Sequence, residues 1–330
     1  MRGHALSSSK DVAVLASEFR DRFRAVGTEV GKVIVGYDDV IEQVLTALVV
    51  GGNVLVEGVP GLGKTMMLLA LARACELGFR RVQFTPDLMP ADITGTNMIN
   101  QSGGRRTMVF VPGPVFTNLL LADEINRATP RTQSALLEAM EEHSVSAGGE
   151  TMRLEEPFFV MATQNPIEQE GTYPLPEAAL DKFLFKLVVN MPGAAELQEI
   201  LERTTAESAP EAKPVASRTD ILKMREIAYQ VPVASHVEDY ALALVRATRT
   251  GHRYVRSGAS PRALKALLLG ARVRALLRER YNVSTDDIRE LALPALRHRI
   301  TLSFEAESEN VTTDDVVEEI VSSLKLNVES

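Results

Sequence analysis

Eight consecutive residues, Gly58-Val59-Pro60-Gly61-Leu62-Gly63-Lys64-Thr65, have the G-x-x-x-x-G-K-[ST] spacing of a phosphate-cradling loop. Gly58, Gly61 and Gly63 let the backbone curl so that its N–H groups point inward. The helix that follows adds its positive end, and Lys64 supplies a full charge to the outer phosphates. Thr65 offers a hydroxyl to Mg²⁺. About 60 residues further on, the apolar run from Asn118 to Ala122 ends in Asp123-Glu124. Asp123 is placed to hold the metal's coordination shell, and Glu124 to orient or deprotonate an attacking water. A third apolar run, Phe158 to Ala162, ends in Thr163-Gln164-Asn165-Pro166. Pro166 halts strand pairing there, and the Asn165 carboxamide can hydrogen-bond both a γ-phosphate and a water. Arg262 follows Ser260-Pro261 in the first turn of a helix, where a cation opposes the helix dipole. That local cost points to an anion nearby.

These side chains need strands and helices in a fixed order. Continuous apolar runs at Val54 to Val56, Val82 to Phe84, Leu119 to Ala122, Phe158 to Ala162 and Leu184 to Val189 read as strands buried on both faces. Helical stretches lie between them, so the first half is predicted to be α/β with a parallel sheet. Two segments break the alternation: Thr94 to Val111 around Gly103-Gly104, and Ser144 to Leu154 around Gly148-Gly149. Both read as hairpins inserted into the scaffold and projecting toward a partner. Residues 204–218 lack periodicity and read as a linker. From Asp220 onward the pattern is helical throughout, with starts at Ser260-Pro261, Ser284-Thr285-Asp286-Asp287 and Thr312-Thr313-Asp314-Asp315. The resulting division is a flexible N-terminus over 1–13, a nucleotide-binding core over 14–203, the linker, and a helical domain over 219–330.

Composition narrows the function classes. The 330 residues carry 36 Lys and Arg against 44 Asp and Glu, a net charge of −8 that argues against nonspecific nucleic-acid coating. Aromatic residues make up 5% and Trp is absent, which leaves little material for base-stacking platforms. The single cysteine, Cys75, has no disulfide partner, so an intracellular, cytoplasmic setting is expected. No apolar run reaches the length of a membrane span. His4, His143, His236, His252 and His298 have no metal-ligand spacing.

The order of phosphate loop, Asp-Glu strand, Asn165 strand end and Ser260-Pro261-Arg262 helix resembles an AAA+ ATPase. Five strings resemble the MoxR family more closely: residues 110–116, 122–128, 133–140, 162–166 and 295–300. The resemblance covers residues 25–325 and implies an αβα core with inserted hairpins followed by an all-α helical lid. It implies ATP or ADP with Mg²⁺ as ligands. Val35 and Gly36 would lie near the adenine, and residues 58–66, Met66 included, would surround the phosphates with Asp123. It further implies a homo-oligomeric ring of six and a chaperone-like role on client proteins, some with von Willebrand A domains. Where such proteins carry Leu-Asp-Arg-Phe, this chain has Leu180-Asp181-Lys182-Phe183. Lys182 keeps the charge of an arginine finger but loses its planar fork, which predicts slow turnover. Arg127 and Arg131 are substitutes. A nucleotide-gated binding module with negligible turnover stays open as an alternative. So does a nucleic-acid motor, with Arg105 and Arg106 as its local support.

Overall fold

The computed structural model describes residues 9–102, 105–147, 149–166, 171–205, 210–249 and 251–328. Helices α1 (Ser9–Val33) and α2 (Asp38–Val50) precede strand β1 (Val54–Glu57), the phosphate loop and α3 (Lys64–Ala74). Strand β2 (Phe79–Gln83) leads through α4 (Pro90–Thr94) into a hairpin, β3 (Gly95–Ser102) and β4 (Arg105–Pro112). After β5 (Leu119–Asp123) come α5 (Pro130–Glu142) and a second hairpin, β6 (Ser144–Ala147) and β7 (Glu150–Arg153). Strand β8 (Phe159–Gln164), α6 (Glu177–Leu180), β9 (Phe185–Val188) and α7 (Ala194–Thr205) follow. The remainder is α8 (Arg218–Gln230), α9 (Ser235–Ala247), β10 (Val255–Ser257), α10 (Pro261–Leu277), α11 (Thr285–Glu290), α12 (Ala292–Leu296), β11 (Thr301–Leu302), α13 (Phe304–Ser308) and α14 (Thr313–Val328).

The five core strands form one parallel sheet in the order β2-β5-β8-β1-β9. Alternate residues of the three central strands, β1, β5 and β8, enter opposite cores. Val54, Val56, Leu119, Leu121, Phe159 and Met161 join the cluster that includes α1, α3 and the lid. Leu55, Leu120, Ala122, Val160 and Ala162 join the cluster around α5. Both faces of these central strands are covered, which is why they read as unbroken apolar runs; edge strand β2 spans Phe79–Gln83 rather than the expected Val82–Phe84, its Arg80, Arg81 and Gln83 being exposed. The crossovers bring the C-terminal ends of β1, β5 and β8 side by side, where ligands bind in open α/β sheets.

Three further expectations change. The segment expected to be flexible over 1–13 is helical from Ser9, because Ala16, Phe19, Phe23, Val26 and Val30 form one buried stripe that continues α1. Residues 1–8 lie outside the described set, as do the expected turn residues Gly103, Gly104 and Gly148. The linker is not loose where described: Val215 and Ala216 donate backbone N–H groups to the Ala74 carbonyl, each at 3.0 Å, and Lys213 N donates to Glu29 at 3.0 Å. The lid is not all-α either, since β10 and β11 pair antiparallel. Strands of three and two residues are too short to show a period in sequence.

Candidate nucleotide site

The phosphate loop takes its shape from two glycine requirements. A Cβ on Gly58 would stand 2.7 Å from the Val189 carbonyl oxygen, so only glycine lets the loop leave the sheet beside β9. Gly63, at φ +75°, turns the chain left-handed into α3. Lys64 begins that helix and donates Nζ to the Gly58 oxygen at 2.5 Å and the Val59 oxygen at 3.2 Å. Burial lowers the ammonium pKa from its ordinary value, while Asp123 and Glu124 oppose the fall. A partly desolvated cation at the start of a helix is what an anionic ligand would compensate.

One cavity of about 380 Å³ brings the sequence candidates together: residues 58 and 60–66 line it with Asp123, Glu124 and Asn165. Val59 stands beside it, its carbonyl held by Lys64. Asp123 ends β5 with both oxygens engaged. Thr163 Oγ1 donates to Oδ1 at 2.6 Å, and Arg81 donates to Oδ2 from Nη2 at 2.7 Å and from Nε at 3.2 Å. Glu124 adopts φ +56°, unusual for a side chain this long. Its backbone N–H donates to Thr163 Oγ1 at 2.9 Å, and its carboxylate accepts from Gln83 at 2.7 Å and Arg127 at 3.0 Å. The left-handed turn sends consecutive acids in different directions, one toward Thr163 and one toward Gln83. Asn165 is buried at the end of β8. Gln164 beside it donates to Glu57 at 2.7 Å.

Thr65 and Asp123 supply oxygen donors to one side of this cavity, a set suited to a hard cation such as Mg²⁺. A second cavity, of about 590 Å³, lies between core and lid and is lined by Gly36, Tyr37, Pro192, Leu293, Pro294 and Arg297 among others. Gly36 faces it and Val35 is buried behind. Ile34 Cδ1 would stand 3.7 Å from a Cβ on Gly63, so this segment adjoins the phosphate loop. Among the described residues no group of His, Cys, Asp and Glu has the arrangement of a metal cage.

Arg262 and Lys182 do not join the phosphate cavity. They meet each other instead, in a separate cleft of about 190 Å³ lined also by Glu141, His143, Asp181 and Arg299. Lys182 Nζ stands 2.9 Å from Glu141 Oε2, Arg262 donates to the other Glu141 oxygen, and Arg262 Nη1 lies 3.6 Å from Asp181. The Lys182 hydrogen bond, with both cations' charge, holds the Glu141 carboxyl below its ordinary pKa. The dipole-opposing arginine is thus answered by core carboxylates across the domain junction. Of the substitutes, Arg127 pairs with Glu124 of its own site, and Arg131 is exposed in the first turn of α5.

Four participants escaped the sequence reading. Arg81 and Gln83 reach Asp123 and Glu124 only because β2 lies parallel to β5 with Gln83 opposite Asp123. Nothing in a single sequence gives that register. Thr163 lies within the quoted string at 162–166, but its double hydrogen bond needs β5 and β8 as neighbours. Arg299 is buried and donates to Asp181 at 2.9 Å and to the Leu184 oxygen at 3.1 Å, binding the end of α12 to the core. Its neighbour His298, buried against the Phe183 oxygen at 3.1 Å, is held well below its usual pKa by burial and by Arg299. Both belong to the string at 295–300, which signalled a family without saying why.

Comparison with known proteins agrees with this architecture. Residues 53–185 match the ATPase family associated with various cellular activities (AAA), and residues 241–320 match the AAA lid domain. The chain is 46% identical to the uncharacterized protein YeaC of Bacillus subtilis, over 91% of this chain and 93% of that one. It is 43% identical to Chaperone MoxR1 of Mycobacterium tuberculosis, over 94% and 84% of the two chains. Protein MoxR of Methylorubrum extorquens is 31% identical over 87% and 90%. The crystal structure of a proposed ATPase from Cytophaga hutchinsonii superimposes with a TM-score of 0.88 at 39% identity, covering 95% of this chain and 97% of that one. A parallel-sheet core, a glycine-shaped phosphate loop and a lid seated on the core coincide with relatives of matching length: this chain belongs to the MoxR family of AAA ATPases.

Proposed function

We propose that this protein is a Mg²⁺-dependent ATPase that remodels or activates client proteins. The observation that carries the reading is the meeting of Lys64, Thr65, Asp123, Glu124 and Asn165 around one cavity at the C-terminal ends of three parallel strands. Thr65 and Asp123 would hold the metal, which when bound neutralises phosphate charge. Lys64 and the loop N–H groups bind and orient the outer phosphates. Glu124 holds the attacking water and accepts its proton, and Asn165 fixes the water against the γ-phosphate. Gly36 and the lid surface at Leu293 and Pro294 take the adenine side.

Lys182 and Arg262 act on a neighbouring protomer's nucleotide in a homo-oligomeric ring, hexameric by the resemblance. Their shared cleft, apart from their own phosphate cavity, favours this reading. The β3–β4 hairpin would touch the client, a protein with a von Willebrand A domain being one kind. It leaves Met98 and Met108 exposed at 55% and 72% midway along its length, adaptable apolar side chains of the sort used by chaperone surfaces. No described helix is long and apolar enough to cross a membrane. Lys182 in place of arginine favours one second reading, a nucleotide-gated binding module with little turnover. Phosphate release by wild type, Glu124→Gln and Lys64→Ala decides between them. The ATPase reading expects wild type alone to turn over and Lys64→Ala to lose ADP binding. Equal slow release by wild type and Glu124→Gln, with nucleotide bound by both, would establish the gated module instead.

A further inference from the structure

Arg81 lies on the edge strand of the sheet, with its side chain 48% exposed, while its partner Asp123 is 16% exposed. Two of its N–H groups converge on a single oxygen, Asp123 Oδ2, at 2.7 and 3.2 Å. The other oxygen is fixed by Thr163. Oδ2 is therefore the oxygen that Thr163 leaves free, and the guanidinium covers it. A divalent cation coordinated by Asp123 would need that same oxygen. Two cations sharing one carboxylate oxygen repel strongly in a partly desolvated site. Arg81 has open solvent beside it, so it can leave. Its departure would also release Gln83, whose Oε1 accepts from Arg81 Nη2 at 2.7 Å while its Nε2 donates to Glu124.

We propose that Arg81 is an exchangeable counter-cation for Asp123, which the nucleotide's divalent metal displaces, so that Arg81 sets the metal concentration at which the site loads. The proposal rests on the phosphate-site reading above and adds to it a positioning residue that sequence motifs do not mark. It differs from a surface ion pair of no consequence, because one partner is a candidate metal ligand and the competing groups share one oxygen.

The test uses Mn²⁺ in the presence of ADP, with bound metal counted by electron paramagnetic resonance. Arg81→Gln should bind Mn²⁺ about threefold to tenfold more tightly than wild type, the range expected from removing one competing, partly screened ion pair. Arg81→Lys, which keeps a charge, should lie between them. Gln83→Ala removes the bridge that links Arg81 to Glu124 but leaves the Arg81–Asp123 pair itself, and should stay within about twofold of wild type. An Arg81→Gln affinity equal to or weaker than wild type overturns the proposal, the weaker case meaning that Arg81 holds the nucleotide itself. Equal tightening in Gln83→Ala overturns it too, since loosening of the edge strand then explains the effect. If wild type takes up no Mn²⁺ with ADP, the phosphate-site reading falls and the proposal with it.

Discussion

Asp181→Asn is the sharpest probe of how the lid is held. Asp181 Oδ1 accepts from Arg299 Nε at 2.9 Å and from Ser260 Oγ at 2.7 Å, so one core carboxylate binds two lid elements. The Arg299 side chain is 2% exposed, and burial pushes its pKa from the ordinary arginine value down to about 10, against the pull of Asp181. At neutral pH that depression costs the folded state roughly 3 kcal/mol even with the carboxylate in place. Removing the countercharge while keeping the shape leaves a buried guanidinium with carbonyl acceptors only. Breaking such pairs costs ~3–5 kcal/mol. The Leu184, Ala295 and Phe183 carbonyls still accept from Arg299, so the low end, about 3 kcal/mol, is expected here. Urea unfolding followed by far-ultraviolet circular dichroism measures the loss. Arg299→Met should cost a similar amount, and the double variant clearly less than the two singles together, with a coupling above ~1 kcal/mol. A loss below ~0.5 kcal/mol for Asp181→Asn, or strict additivity in the double variant, would refute the latch.

Lys182→Ala and Arg262→Ala should each lower specific ATPase activity by about tenfold or more while leaving ADP affinity of the isolated protomer unchanged, because neither lines its own phosphate cavity; calorimetry with ADP beside a phosphate-release assay separates the two effects. Thr163→Val should cost about 1–3 kcal/mol of stability, since it orphans a buried hydrogen bond to Asp123 and another from the Glu124 backbone, and thermal unfolding reports it. Glu156 is held at about 2 rather than 4.5, first by the hydrogen bond from His143 and then by Arg225. A lowered carboxyl pKa stabilises the fold fully above about pH 4.5, and the contribution is lost as pH falls from there toward 2. Glu156→Gln should therefore lose ~1 kcal/mol at neutral pH, reduced by solvent screening at 36% exposure, and show a flatter stability profile over that acid window in pH-dependent urea melts.

What the sequence made legible follows from the range of each interaction. The phosphate loop is eight adjacent residues whose glycines and lysine act locally, so its strand, turn and helix could be placed from spacing alone. Asp123, Glu124 and Asn165 were legible because each ends an apolar run, and in a parallel sheet those ends must assemble at one edge. Arg81 and Thr163 were not, because their roles depend on strand order β2-β5-β8, which residues in one chain do not encode separately. Arg262 was flagged by its conflict with the helix dipole as a residue with an anion nearby. The carboxylates that answer it, Glu141 and Asp181, come from the far side of the core sequence. Short-range electrostatics found the need, and only the tertiary fold supplied the partner.

The latch and the nucleotide site share one backbone path. Strand β9 pairs directly with β1, Leu184 N donating to the Asn53 oxygen at 2.7 Å and Val189 N to the Glu57 oxygen at 2.8 Å. At the near end of β9 stand Asp181 and Phe183, the anchors of Arg299 and His298; at the far end Val189 crowds Gly58 at the mouth of the phosphate loop. Between them, Lys186 pairs with Glu57 at 2.7 Å; burial raises the Glu57 pKa, but Lys186 and Gln164 hold it below its ordinary value. The lid returns to the same region through Arg297, two residues before Arg299, which lines the cavity between core and lid and pairs with Asp314 at 2.8 Å. A lid displacement that breaks Arg299 from Asp181 must therefore also move Arg297 across that cavity and strain β9 against β1. Because a packed sheet transmits strain rather than absorbing it, a shift of the lid at Arg299 is expected to reach the phosphate loop through β9 and β1, so Asp181→Asn should change ADP affinity in calorimetry as well as stability.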